Sequence, residues 1–94
     1  MAKEPMDQIV EAVSSDCPQT YANGFAASLG VGDIVIAFQR NDQPAIVLNL
    51  SFTVAKTLSV KLGEMIGDLE KKTSQTIMTT DQIIQSLNRD NTPH

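Results

Sequence analysis

The alternation of large and small side chains predicts three β-strands in the first half of the chain. It extends over residues 20–29, 33–40 and 45–50, with the period of two that is typical of strands. The segments between them, 30–33 and 40–44, are short and rich in turn-forming residues. Short connections favour antiparallel neighbours, so we expect a three-stranded meander.

Each predicted strand has one bulky face and a second face of smaller, partly apolar residues. The second face carries no charge over its middle. A sheet face in water normally alternates apolar residues with polar or charged ones, and one helix cannot cover both faces. We therefore expect the second face to be covered by another copy of the chain. The candidate self-association residues on it are Val35, Ala37 and Val47.

An apolar stripe with helical spacing predicts one long helix after the third strand. Ser51 is a good N-cap, and the pattern continues to about Lys72. The stripe consists of Val54, Ala55, Leu58, Leu62, Met65, Ile66 and Leu69.

A ridge of small residues follows the same helix at every fourth position: Ala55, Ser59, Gly63 and Gly67. Glycine inside a helix costs about 1 kcal/mol relative to alanine. Two interpretations stay open. The ridge lets the helix lie close to its own sheet, or it is a helix–helix contact with a symmetry mate.

Short amphipathic helices are predicted on both sides of this centre. The first covers 5–14, with Pro5 at its first position. The second covers 80–87 after a Thr79–Gln82 capping box, and 88–94 is expected to be a frayed tail. Their candidate docking residues are Ile9, Val13, Ile83, Ile84 and Leu87. Docking on the own core and docking on a partner both stay open.

The predicted fold class is therefore α+β. Residues 1–19 form an N-terminal arm, 20–73 a β-β-β-α core, and 74–94 a C-terminal arm. Ninety-four residues and 41% hydrophobic content suit one small globular unit. Such chains bury only about 60–65% of their unfolded surface and commonly depend on disulfides, metals or oligomerisation. Cys17 is the single cysteine and His94 the single histidine, so we expect oligomerisation to supply the missing stability.

The residues argue against catalysis and against a bound cofactor or metal. A nucleophile needs a base within hydrogen-bond reach, and a zinc site needs three or four converging ligands. Cys17 and a terminal histidine supply neither. Of the carboxylates Glu64, Asp68 and Glu70, the first two are neighbours on a helix face that is expected to be solvated. We therefore expect a protein that is not an enzyme and that has no cofactor.

Charge and targeting signals indicate which classes of partner and which compartment to expect. The net charge is -4, and the seven Lys and Arg residues are dispersed, so nucleic-acid binding is not expected. Only a symmetric dimer could gather Lys56 and Lys61 into a basic patch. No apolar run approaches the ~20 residues that span a bilayer. The lone cysteine suits a reducing compartment, and we expect a cytoplasmic protein without membrane contact.

Several short motifs resemble a small bacterial and archaeal family known as a domain of unknown function. They are Tyr21-Ala22-Asn23, a strand ending at Phe38, Ala45-Ile46-Val47-Leu48 leading to Ser51, and Ala55-Lys56-Thr57-Leu58 followed by Leu62. The resemblance covers residues 20–69 and implies a strand–strand–strand–helix core without a known activity. Phe52 replaces the proline that usually follows the helix cap. At the level of fold, the pattern also resembles bacterial export chaperones, which pack sheets and long helices into oligomers.

The function predicted from these features is a non-enzymatic interaction module, such as an adaptor, assembly subunit or accessory protein. Its expected partners are itself, as a homodimer or a dimer of dimers, and another protein. The alternatives are a chaperone-like binder of extended peptides and a small regulator of the kind that phages and mobile elements use against a host protein.

Overall fold

The computed structural model of the chain describes residues 4–90. In chain order its elements are α1 (Pro5–Ser14), β1 (Gly24–Leu29), β2 (Ile34–Arg40), β3 (Gln43–Leu50), α2 (Phe52–Thr73) and α3 (Thr80–Asp90). The predicted α+β class is confirmed: an antiparallel meander precedes one long helix, with a short helix at each end.

By its internal contacts the chain divides into two compact units, Met1–Phe52 and Thr53–His94. The first contains α1 and the sheet, and the second contains α3 and nearly all of α2. The predicted boundaries of the two arms, after residues 19 and 73, stay predictions.

α1 has the predicted bounds. Pro5 occupies its first turn, where a missing N–H breaks no helical hydrogen bond. The helix ends at Ser14, and the next residue, Ser15, caps it by donating its N–H to the Ala12 carbonyl at 3.3 Å. The Ser15 hydroxyl then accepts a hydrogen bond from the Cys17 N–H at 3.2 Å, so the chain turns here through local bonds.

β2 is the central strand of the sheet, and β1 and β3 are its edges. The register places Phe38 opposite both Phe25 and Ile46. Opposite residues in an antiparallel pair share a face. The large side chains of all three strands therefore lie on one face, as the alternation predicts. The Phe25 and Phe38 rings are tilted, with centroids 6.3 Å apart.

The connection between β2 and β3 is shorter than the predicted loop 40–44. Asn41 and Asp42 have φ of 51° and 67°, which is typical of a two-residue type I′ hairpin turn. Arg40 therefore already pairs with Gln43, and Pro44 lies inside β3 instead of before it. An edge strand tolerates this proline because no further strand needs its N–H.

A β-bulge follows this proline. Phe38 pairs with Ile46 whereas Gln39 pairs with Pro44, so Ala45 has no partner of its own in β2. Such an extra residue bends the strand and increases its local twist. The end of β3 next to the turn is therefore irregular.

β1 begins at Gly24, four residues later than predicted. The ladder with β2 ends at the pair Gly24↔Gln39, and just before it the Asn23 N–H donates to the Gln39 carbonyl at 3.0 Å. Side chains also hold this segment. Asn23 Nδ2 donates to Asn41 Oδ1 at 2.9 Å, and the Asn41 N–H donates to Asn23 Oδ1 at 2.9 Å. Arg40 also donates to the Thr20 hydroxyl at 3.4 Å.

α2 ends one residue later than predicted, in a left-handed cap. Ser74 has φ of 54°, and the Gln75 N–H donates to the Glu70 carbonyl at 3.2 Å. This is the bond of a Schellman motif, which satisfies a carbonyl at the helix end. The Glu70 carboxylate also accepts a hydrogen bond from the Ile77 N–H at 2.7 Å. Glu70 is half-buried, and its carboxylate holds the turn after the helix.

The predicted capping box begins α3. The Gln82 N–H donates to the Thr79 hydroxyl at 3.2 Å, and the Thr79 N–H donates to Gln82 Oε1 at 2.8 Å. The helix continues to Asp90, so residues 88–90 are helical and not part of a tail. Residues 91–94 of the predicted tail lie outside the described residues.

Burial is low in both units. Among residues 4–88, no apolar or polar side chain is buried in the single chain. The central strand β2 is half-buried along residues 34–39, while most of β1 and β3 is exposed. The apolar faces of this chain therefore have little cover from the chain itself.

Candidate functional site

The second face of the sheet brings together the three strand residues predicted for self-association. Ala37 lies opposite both Ala26 and Val47, and Val35 lies one pair further along the same face. Val35 and Ala37 are half-buried because they belong to the central strand, whereas Val47 is 56% exposed. The result is a shallow face of small side chains without a charge.

The bulky face is also open at one edge. Phe25 and Leu29 both belong to β1, and they are 66% and 76% exposed. Between them on the same face lies Ala27, opposite Ile36. The largest uncovered apolar side chains of the sheet thus lie on its first edge strand.

The hydrogen-bonding direction of β1 follows from its hairpin with β2. The Gly30 N–H donates to the Asp33 carbonyl at 2.7 Å, in line with the register Leu29↔Ile34. Hydrogen-bonded pairs recur at every second residue of an antiparallel ladder, so the even-numbered residues of β1 bond to β2. The N–H and C=O groups of Phe25, Ala27 and Leu29 therefore point away from the sheet.

This hairpin leaves little room for a side chain at Gly30. A Cβ there would lie 2.5 Å from Asp33 Oδ1 and 3.1 Å from the Asp33 carbonyl oxygen. The Asp33 carboxylate would have to rotate away, and the turn backbone would have to shift slightly.

β1 has none of the features by which natural edge strands avoid pairing. Such features are charges, prolines and bulges. Residues 24–29 contain no charged residue and no proline, and their pairing with β2 is continuous. Among the described residues, the hydrogen bonds of this strand are those of the ladder with β2. β1 therefore presents an unprotected edge.

The β3 edge is different. By the same alternation, β3 bonds to β2 through Ile46, Leu48 and Leu50, and the backbone groups of Val47 and Asn49 point outward. Pro44 and the bulge at Ala45 then interrupt the edge. A strand that docked here would find a short and bent template.

The small ridge of α2 has open space beside it. A Cβ built on Gly63 or Gly67 meets no atom within 4 Å outside the nearby helix backbone. The Ser59 hydroxyl donates to the Lys56 carbonyl at 2.8 Å, so its hydrogen bond stays within the helix. Ala55 and Gly67 are half-buried. Ridge and apolar stripe together leave a wide, weakly polar helix surface, and its role as a subunit contact stays a prediction.

The two predicted arms carry apolar stripes that are about half exposed. In α1 these residues include Ile9 and Val13, and in α3 they are Ile83, Ile84 and Leu87. Short isolated helices are marginal in water. Both stripes therefore suit docking on another surface, and the identity of that surface stays open.

Polar chemistry is sparse in the described part of the chain. Cys17 is free and exposed, and His94 lies outside the described residues. Residues 4–90 contain no group of three or more His, Cys, Asp or Glu side chains that could hold a metal ion. A shallow groove of about 320 Å³ lies along α3, lined by Thr76, Met78, Gln82, Gln85 and Ser86. It offers neither a charged group nor a nucleophile with a neighbouring base.

Two polar residues have structural roles that the sequence pattern does not show. The Asn23 side chain makes both of its hydrogen bonds to Asn41. Glu70 holds the turn after α2 through its carboxylate. Both are structural, and the helical spacing of Glu70 alone could not reveal its bond to Ile77.

No protein-family model, curated protein or solved structure matches the chain. The resemblance over residues 20–69 stays a prediction. Within residues 4–90, no helix has the length and apolarity needed to cross a bilayer.

Proposed function

We propose that this chain is a non-enzymatic interaction module that functions by associating with copies of itself and, in that assembled form, with another protein. The observation that carries the proposal is the exposure of large apolar side chains in the three helices and in both edge strands. α1, β1, β3, α2 and α3 each carry such side chains, whereas those of the central strand β2 are half-buried. Soluble monomers rarely expose apolar patches of more than a few hundred Å².

The free energy gained by burying these side chains is comparable to the cost of association. Burying a Leu, Ile, Phe or Met side chain completely contributes about 1.5–3 kcal/mol, so covering a half-exposed one contributes about 1 kcal/mol. Eight to ten such side chains per copy would offset the roughly 4–15 kcal/mol that association costs. Phe25, Leu29, Leu62 and Met65 are examples in the two units. A homodimer or a dimer of dimers satisfies this requirement.

Sedimentation velocity over a concentration series tests the proposal. We expect a mass of at least twice 10.2 kDa at micromolar concentration. Because apolar contacts drive the association, the mass should persist in 1 M NaCl, where exposed charge pairs are screened. A protein that stays monomeric at ~100 µM would refute self-association. Affinity capture followed by mass spectrometry then identifies the second partner.

A second candidate function is the binding of extended peptides in the manner of a chaperone. The unprotected β1 edge favours it, because an extended peptide can add a strand to an open edge. A chaperone would suppress the aggregation of unrelated unfolded proteins at stoichiometric amounts. An adaptor would leave that aggregation unchanged and bind one partner.

A further inference from the structure

The proposed self-association has a geometry that β1 itself specifies. Phe25, Ala27 and Leu29 point their backbone N–H and C=O groups outward, in three consecutive positions of the alternating ladder. A second strand can satisfy these groups only if its own outward residues lie opposite them. The β1 strand of a second copy is such a strand.

A two-fold axis restricts the register. Two antiparallel edge strands that a two-fold axis relates keep their bulky faces on the same side, since opposite residues share a face. Odd-numbered residues of β1 must therefore pair with odd-numbered residues of its mate. With Ala27 on the axis, Phe25 pairs with Leu29 of the second copy, and Leu29 with its Phe25. All three outward residues are then used, for about six main-chain hydrogen bonds.

Other registers leave more of the outward N–H and C=O groups of β1 without a partner. Moving the axis by one residue, to Ala26, pairs Phe25 with Ala27 and leaves Leu29 without an outward partner within β1. The main-chain bonds then fall to about four. Asn23 cannot extend the ladder with its N–H, because that group already donates to the Gln39 carbonyl at 3.0 Å.

Side chains favour the same register. Phe25 and Leu29 are the most exposed large side chains of the three strands, and this pairing brings each next to the other at a Cβ separation of ~4.5–5.5 Å. The alanine on the axis leaves room for both pairs. Since residues 24–29 carry no charge, no repulsion opposes the approach of two identical strands.

We propose that two copies of the chain join their sheets through β1, antiparallel about a two-fold axis at Ala27, into one six-stranded sheet. The occupant of this edge is the second copy because β1 is complementary to itself in register, hydrogen bonding and side-chain size, while Pro44 and the bulge protect the β3 edge. This inference rests on the proposed self-association and identifies the surface by which it occurs.

Proline substitutions test which edge pairs. Ala27→Pro removes an outward N–H and leaves the bonds between β1 and β2 in place, because Ala27 is not a hydrogen-bonded partner of β2. We expect it to raise the dissociation constant of the dimer by about 100-fold or more in sedimentation equilibrium. The matched control is Val47→Pro, which removes an outward N–H from β3 and should leave the dimer unchanged. A dimer that persists in Ala27→Pro and dissociates in Val47→Pro would overturn the inference.

Cysteine cross-linking gives a test that does not depend on a proline. Hydrogen-bonded antiparallel pairs have Cα atoms about 5.5 Å apart, within the range that a disulfide spans. In a Cys17→Ser background, Ala27→Cys should form a covalent dimer under mild oxidation, whereas Val47→Cys should not. Cross-linking through Val47→Cys, or through neither cysteine in a dimeric protein, would contradict the β1 pairing. A wild-type protein that is monomeric in the same experiments would instead refute self-association itself.

Discussion

The turn between β2 and β3 provides a sharp test of the sheet geometry. Asp42 has φ of 67°, in the left-handed region that costs most L-residues about 1–2 kcal/mol. Aspartate reduces this cost through local hydrogen bonds, and glycine removes it. We therefore expect Asp42→Gly to stabilise the sheet and Asp42→Ala to destabilise it.

Two free-energy contributions of opposite sign determine the effect of Asp42→Gly. Glycine removes the full cost of the left-handed conformation, but it lowers the stability by about 0.5–1 kcal/mol because the unfolded chain has greater freedom. The net gain for Asp42→Gly is then about 0.5 kcal/mol, and the loss for Asp42→Ala is of similar size. The two variants should differ by about 1 kcal/mol, which corresponds to roughly 4–8 °C in Tm for a domain of this size.

Thermal melts followed by circular dichroism, with amide hydrogen exchange of β2 and β3, measure this difference. Exchange separates the sheet from the helices of the second unit. Asp16→Gly is the matched control, because it removes the same charge in the same unit at a position without positive φ. It should be neutral or slightly destabilising. If Asp42→Ala proved as stable as Asp42→Gly, the left-handed turn and the register it sets would be wrong.

Three further predictions concern the second unit. Thr79→Ala removes one half of the capping box and should cost about 1 kcal/mol of α3 stability, visible as faster amide exchange in its first turn; unchanged exchange there would argue against the cap. Glu70→Ala should expose the Ile77 amide to exchange, because its acceptor at 2.7 Å is lost, whereas Glu70→Gln should keep most of the protection; equal exchange in both variants would show that the carboxylate does not hold the turn. Gly63→Leu has open space for its side chain and should keep the helix content. If the ridge is a subunit contact, this variant lowers the oligomer mass in sedimentation. Lys61→Leu, on the polar side of the helix, should leave that mass unchanged. An unchanged mass in Gly63→Leu would remove the ridge from the interface.

The strands and their faces could be predicted because the alternation of side-chain size has a direct physical cause. Each strand places successive side chains on opposite faces, so Phe38 and Ile46 could be assigned to one face before their register was known. The capping box at Thr79 was equally predictable, since its residue types and spacing define its hydrogen bonds. Local rules were sufficient where the partners lie within a few residues.

The predicted boundaries were wrong where a residue that is distant in the chain determines where an element begins or ends. β1 starts at Gly24 because its ladder with β2 ends at the pair Gly24↔Gln39, and nothing in residues 20–23 shows where that ladder ends. Asn23 bonds to Asn41, eighteen residues away in the chain. Glu70 likewise depends on the path of the chain after Ser74. These interactions are tertiary, and neither periodicity nor composition contains them.

The difference between the two sheet edges arises in the same way. β1 and β3 are both free of charge, so composition alone makes them equal candidates for pairing. The two-residue turn at Asn41 makes them unequal, because it extends β3 back to Gln43 and so places Pro44 inside the strand. A longer loop, as predicted, would put that proline before the strand and leave a regular edge on β3. The left-handed turn therefore protects one edge of the sheet, and β1 remains the edge through which two copies can join.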